Sequence, residues 1–360
     1  MEDPAIQKIK QRQSKGKFLN SEPVSGRTIK KTLQIFLRFL TEKRINTEPS
    51  SQIPVVPLTA NQLEQLPEDQ LFIIKLGHSS LLLKVYGEIW LIDPVFGERA
   101  SPFAFMGPKR FHPTPIDLKT LPFIDRVLIS HNHYDHLDKT TIRALANRVG
   151  RFYVPVGVDQ TLIKWGGEPG KISCFNWWQE EKIQDGFIAF TPTRHFSGRG
   201  LSDADKTLWG AWVIETGRER LYFSGDSGYF AGFANVGEKY GPFDLAFIET
   251  GAYDSDWPDV HMTPEQSLQA YRDVRGLRMM PIHNGTFDLA FHPWYEPMER
   301  IFQLAKRQPG SQPVPLCTPV FGEAHTLESL THTKPWWQPL MAKQQQSKLA
   351  DAKTQKNSKR

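Results

Sequence analysis

Only two cysteines, Cys174 and Cys317, occur in 360 residues. That number excludes a disulfide framework, and their separation excludes a thiolate metal cage. A reducing compartment is the natural setting. Long apolar runs are equally scarce. The stretch 33–40 is interrupted by Gln34 and Arg38 and falls far short of the roughly 20 residues needed to cross a bilayer. The first 18 residues are polar and basic, without the apolar segment of a secretory signal. These absences point to a cytoplasmic protein that can touch the inner face of a membrane only peripherally. No internal repeat is present.

What is there is ordinary for a globular fold: 39% hydrophobic and 23% charged residues, with 27 prolines and 26 glycines that call for many turns. The length allows one large domain or two smaller ones. The net charge of +5 hides an asymmetry. Residues 1–45 carry 11 Lys/Arg against 4 Asp/Glu and residues 341–360 carry 6 against 1, which leaves 46–340 at −7. An acidic body with two basic extensions argues against a nucleic-acid partner, which would need an extended basic surface on the body. Solvated tails or an anionic membrane surface account for the ends.

Along residues 28–44, Ile29, Leu33, Phe36, Leu37 and Leu40 recur at helical spacing, with Lys30, Lys31 and Arg38 around the wheel. Such a basic amphipathic helix can lie on a membrane or dock on its own domain. A Pro/Ser-rich stretch, 47–57, reads as a linker, so 1–57 form an extension, 58–340 the body, and 341–360 a basic tail whose Lys, Gln and Ser content predicts disorder. The body opens with strand-like runs at 71–76, 80–85 and 88–92, in the pattern of an antiparallel meander. Further runs follow at 126–130, 186–191, 211–215, 220–224 and 245–249, with helices over 140–147 and 264–274.

The strongest chemical signal follows the apolar run 126–130: His131, His133, Asp135 and His136 fall within six residues. A loop at a strand end converges such groups on one point. Imidazole and carboxylate are ligands that zinc accepts, and the lack of cysteine disfavours a closed structural cage. Three further candidates stand at strand ends: His195, Asp226 and His283. Each is weak alone and stronger beside the cluster. His78 reads as a structural histidine in a turn, and the apolar loop 101–107 as ordinary packing, the alternative being the lining of an acyl-chain groove or a membrane contact.

With its HxHxDH pattern at residues 131–136, the chain resembles the metallo-β-lactamase superfamily. The resemblance implies a four-layer αββα sandwich of the α/β class with a two-metal site. It puts His131, His133 and His195 on one ion, Asp135, His136 and His283 on the second, and Asp226 between them. Two zinc ions are implied, other divalent metals being possible. A narrower similarity covers roughly 60–300 and points to the N-acyl-phosphatidylethanolamine-hydrolysing phospholipase D family and its bacterial relatives. It rests on Gly77-His78-Ser79-Ser80, on residues 107–111, 128–138 and 207–212, on Gly225-Asp226-Ser227-Gly228-Tyr229 and Gly251-Ala252-Tyr253, and on 261–266 and 283–287.

That family implies a phosphodiesterase of phospholipase D type acting on a phospholipid, with a small-molecule substrate as the broader class. Asp135, Asp226 and His261 are the candidates for catalytic roles. His261 matches a histidine beside the family's site, where it contacts the phosphate or protonates the leaving oxygen. The alternative is a helix-start residue before Thr263 and Pro264. Lactonases, β-lactamases, thioesterases and RNA-processing nucleases share such a metal site. A metal-binding protein without catalysis is disfavoured because all seven ligand positions are filled. Residues 28–44 are the candidate membrane contact, and the sequence does not set an oligomeric state.

Overall fold

A computed structural model describes residues 12–357 apart from 15, 26–27, 201 and 307–312; the start of the basic extension and residues 358–360 lie outside the described residues. Two strands come first, β1 (Arg12–Ser14) and β2 (Lys17–Leu19), followed by α1 (Ile29–Thr41) and α2 (Ala60–Glu64). The meander is β3 (Leu71–Gly77), β4 (Ser80–Val85) and β5 (Glu88–Ile92), paired antiparallel. Then come β6 (Ile124–Leu128), α3 (Lys139–Leu145), β7 (Val149–Pro155), α4 (Asp159–Lys164) and β8 (Ile172–Phe175). The second half runs β9 (Glu180–Ile183), β10 (Gly186–Thr191), β11 (Ala211–Glu215), β12 (Arg220–Phe223), α5 (Gly232–Tyr240), β13 (Leu245–Glu249), α6 (Pro264–Asp273) and β14 (Met279–Ile282). It ends with α7 (Glu296–Lys306), β15 (Ala324–His325) and α8 (Gln338–Asn357).

Beside the β1–β2 pair, two large sheets result: seven strands in the order β15-β3-β4-β5-β6-β7-β8, and six in the order β14-β13-β12-β11-β10-β9. Residues alternate between faces along a strand. On β3 and β4, Leu71, Ile73, Leu81 and Leu83 enter the core shared by the two sheets. Ile74, Leu76 and Leu82 turn the other way, toward Ile142 of α3 and Leu162 of α4. The second sheet behaves alike. Ile188, Phe190, Trp212 and Phe223 face the shared core, while Val213, Tyr222 and Ile248 meet α5 and α6 through Phe233, Val236 and Leu268. Sheets buried on both faces explain why these strands read as near-continuous apolar runs. The architecture is the four-layer αββα sandwich.

Two readings of the ends need correction. Residues 341–357, expected to be disordered, belong to α8. Lys, Gln and Ala are good helix formers, and the helix is anchored at its start: Leu340 and Met341 pack on Trp294 and Trp337, and the buried Gln344 accepts from Trp294 Nε1 at 2.8 Å. The stretch 47–57 has no regular element, yet Ile53 is fully buried in the same cluster and the Val56 N–H donates to the Phe321 carbonyl at 2.8 Å. The loop 101–107 also differs from its reading as packing. Phe103, Phe105 and Met106 are exposed, Phe105 to 79%.

Candidate metal centre

The site lies along one edge of the sandwich, because its residues follow strand ends. His131, His133, Asp135 and His136 follow β6, His195 follows β10, Asp226 follows β12 and His283 follows β14. All seven converge. His131, His133, His195 and Asp226 form one group able to hold a metal ion, and His78, Asp135, His136 and His283 form another. Asp226 stands between them. Its Oδ2 is 3.6 Å from His131 Nε2 and 3.7 Å from His195 Nε2. The same carboxylate lies 3.0 Å from His283 Nε2 and 3.1 Å from His136 Nε2.

Whether these residues fit a cation can be tested on their unmet polar atoms. His136 Nε2, His283 Nε2 and Asp226 Oδ1 are buried, close together and without a hydrogen-bond partner. Such atoms are costly unless something compensates them. A divalent ion does so, and imidazole with carboxylate is a donor set for zinc and its neighbours.

The electrostatics agree. Burial, reinforced by neighbouring imidazoles, holds His131 and His195 well below the ordinary histidine value, so their lone pairs are free. Burial opposes charge at His136 and His283 too, but Asp226 and Asp135 outweigh it. His136 is raised well above its ordinary value and His283 to about 10. Despite burial, Asp135 and Asp226 are held well below the carboxylate range, chiefly by His136. The second group therefore attracts positive charge strongly.

A buried outer layer orients these side chains, and sequence reasoning missed most of it. Asp93, directly after β5, accepts from His136 Nδ1 at 2.7 Å and from the Ser130 N–H and hydroxyl at 2.7 and 2.5 Å. Such carboxylate–histidine pairs fix the tautomer of a ligand. The Val260 carbonyl does the same for His195 Nδ1 at 2.9 Å. Arg199 donates to the carbonyls of Asn132 and Leu137 at 2.8 and 2.7 Å and so braces the histidine loop. His78 does sit in the turn between β3 and β4, but it faces the cluster, with Nε2 3.1 Å from Asp135 Oδ2. His261 lies beside Asp226 and His283, its Nδ1 hydrogen-bonded to the fully buried Glu249.

Above the cluster opens a cavity of about 910 Å³ that reaches His133, Asp135, Asp226, His261 and His283. Leu33, Ile35 and Phe36 of α1 line it, with Phe196, Trp257, Val260 and Leu289 of the body. Helix α1 begins at Thr28, whose side chain accepts from the Lys31 N–H. Lys31 pairs with Asp256 at 2.5 Å, and Arg38 with Asp254 at 2.6 Å and Asp256 at 3.0 Å. Arg38 also lies 3.8 Å over the Phe291 ring, and Phe39 packs on the same ring. The docked face is thus polar and aromatic, while Leu33, Phe36, Leu37 and Leu40 of the expected apolar stripe are exposed.

Residues 90–284 match the family model described as the beta-lactamase superfamily domain. The chain belongs to the metallo-β-lactamase superfamily. It is 38% identical to the uncharacterized protein Rv0906 of Mycobacterium tuberculosis, over 89% of this chain and 86% of that one. It is 35% identical to N-acyl-phosphatidylethanolamine-hydrolyzing phospholipase D 1 of Caenorhabditis elegans, over 71% of this chain and 74% of the relative. Among solved structures, Igni18, a metallo hydrolase from Ignicoccus hospitalis, matches with a TM-score of 0.54 at 22% identity, over 71% of this chain and 98% of that one. That likeness carries the fold. As a superfamily member with this cluster, the chain is a metal-dependent hydrolase. Among the described residues, no helix is long and apolar enough to cross a membrane.

Proposed function

We propose that the protein is a phosphodiesterase of phospholipase D type that cleaves N-acyl-phosphatidylethanolamine-like lipids. The observation that carries this reading is the chamber over the cluster, apolar along α1 and polar at its floor. Pockets of that kind bury hydrocarbon while a few placed polar groups fix the reacting end. The relatives named as hydrolysing N-acyl-phosphatidylethanolamine, in Caenorhabditis elegans and Saccharomyces cerevisiae, support it.

In this reading His131, His133 and His195 would hold one zinc ion and Asp135, His136 and His283 the other, with Asp226 within reach of both groups. When bound, such ions supply Lewis-acid stabilisation of phosphoryl charge and acidify water toward neutrality. The protein's own residues do the rest. Asp135 and Asp226 stay ionised, Asp93 and Ser130 keep the histidine loop in register, and Phe196, Trp257 and Leu289 with α1 hold acyl chains and keep bulk water from the phosphate. His261 faces the leaving oxygen. Leu33 and Phe36 line the chamber, and the exposed Leu37 and Leu40, with Lys30, rest on an anionic bilayer surface as a peripheral contact.

A screen of purified protein tests this. It compares N-acyl-phosphatidylethanolamine, phosphatidylethanolamine, bis-p-nitrophenyl phosphate and an acyl-homoserine lactone, with metal content measured alongside. The N-acyl diester should be cleaved faster than the lactone. A lactone turned over far faster than every diester would overturn the assignment.

A further inference from the structure

Glu249 closes β13 deep in the sandwich, fully buried, at the edge where the site lies. One carboxylate oxygen takes the hydrogen bond of His261 Nδ1. The other accepts from the Ser227 N–H at 2.8 Å, the residue after Asp226. Its own N–H donates to Ser224 Oγ at 2.9 Å, and its carbonyl accepts from Ser267 Oγ at 2.7 Å. Every polar group of Glu249 is therefore committed, and the carboxylate cannot swing away. His261, by contrast, is only partly buried and lines the chamber. With Nδ1 engaged from behind, Nε2 is the ring nitrogen left to face Asp226, His283 and whatever occupies the chamber.

A buried carboxylate behind an imidazole fixes ring orientation, keeps the proton on the nitrogen it touches, and stabilises the imidazolium that forms during proton transfer. Such a pair is a poor device for stability, since replacing a buried pair by apolar residues of similar volume is often neutral or stabilising. We propose that Glu249 is the positioning residue that makes His261 the proton donor to the leaving alcohol. The proposal rests on the phosphodiesterase reading above. In the step, an oxygen from water bonds to phosphorus, and the P–O bond to the N-acylethanolamine-type alcohol breaks with both electrons passing to that oxygen. The imidazolium form of His261 gives its Nε2 proton to the departing oxygen, and the neutral ring, still protonated on Nδ1 beside Glu249, regains a proton at Nε2 from the attacking water. Phosphatidic acid and a neutral alcohol leave.

The test varies the leaving group in the metal-loaded, full-length protein. Glu249→Gln keeps the shape and one hydrogen-bond acceptor but removes the charge. An alkoxide needs a proton as it departs, whereas p-nitrophenolate does not. Glu249→Gln should therefore lower kcat on N-acyl-phosphatidylethanolamine about 10–100-fold, within the range general acid catalysis supplies. On bis-p-nitrophenyl phosphate it should lower kcat less than about threefold, with KM and metal content unchanged. His261→Gln should show the same selectivity, and the double variant should be no worse than His261→Gln alone. Equal losses on both substrates, or loss of metal, would overturn the proposal. If the unaltered protein cleaves neither diester, the phosphodiesterase reading has failed, and the dyad is judged on nitrogen-15 spectra of His261. A proton resident on Nδ1 and released by Glu249→Gln upholds the positioning role, and an Nδ1 without a proton ends it.

Discussion

The metal cluster and helix α1 border the same chamber but are held in opposite ways. Asp93, Ser130, Asp135, His136 and Asp226 meet through short contacts between fully or nearly buried groups. Breaking any of them leaves an uncompensated polar atom in the interior, which costs about 1–3 kcal/mol and more for a charge. Helix α1 is tied down by ion pairs whose side chains are about a quarter exposed, 27% for Arg38 and 24% for Asp256. Pairs of that kind contribute about 0–1 kcal/mol each. The contrast teaches that the chemistry is preset while the roof is held loosely enough to lift, and local openings of low free energy are where substrate-binding elements are found.

The sharpest way to break the comparison is Asp226→Ala. If the two groups share this carboxylate, metal content should fall at both positions and turnover by more than the roughly 100-fold that an outer partner can cost. Metal analysis that finds one position filled and activity intact would mean that the groups are independent. Next in size is Asp93→Asn, which keeps the volume behind His136 but removes the charge. It should weaken metal affinity about 10–100-fold with the fold unchanged by circular dichroism. An unaltered affinity would show that the outer layer does not orient the ligands.

The roof answers to different measurements. Deleting residues 1–45 should abolish salt-sensitive pelleting with anionic vesicles. Equal pelleting of the full-length and truncated proteins at low salt would remove the membrane contact. The smallest effect is that of Arg38→Ala, which should cost about 1 kcal/mol of stability or less while raising KM for long-chain lipids more than for bis-p-nitrophenyl phosphate. A large drop in Tm would show that α1 is part of the core after all.

Much of this was legible because pattern and geometry coincide. His131 to His136 stand out since an apolar strand ends directly on them, and a strand end is where side chains converge. Asp93, Glu249 and His78 carry no such signal. Each is a single polar residue beside a strand, and only the pairing of strands distant in sequence shows that Asp93 backs His136. The amphipathic pattern at 28–44 predicts a helix, and α1 is there. It does not say which face docks, because Lys31, Arg38 and Phe39 look solvent-facing until Asp254, Asp256 and Phe291 are placed beside them. The composition of 341–360 predicts disorder, and composition is blind to the docking of Leu340, Met341 and Gln344.

The anchors of α1 carry a consequence for biosynthesis. Arg38 reaches Asp254 across 216 positions and Lys31 reaches Asp256 across 225. At translation rates of about 5–20 residues per second, α1 precedes its seat by roughly ten to forty seconds. During that interval Leu33 and Phe36 have no chamber to line. A ribosome-bound chain therefore offers a chaperone or a nearby bilayer a basic amphipathic helix well before it can offer a substrate a closed site.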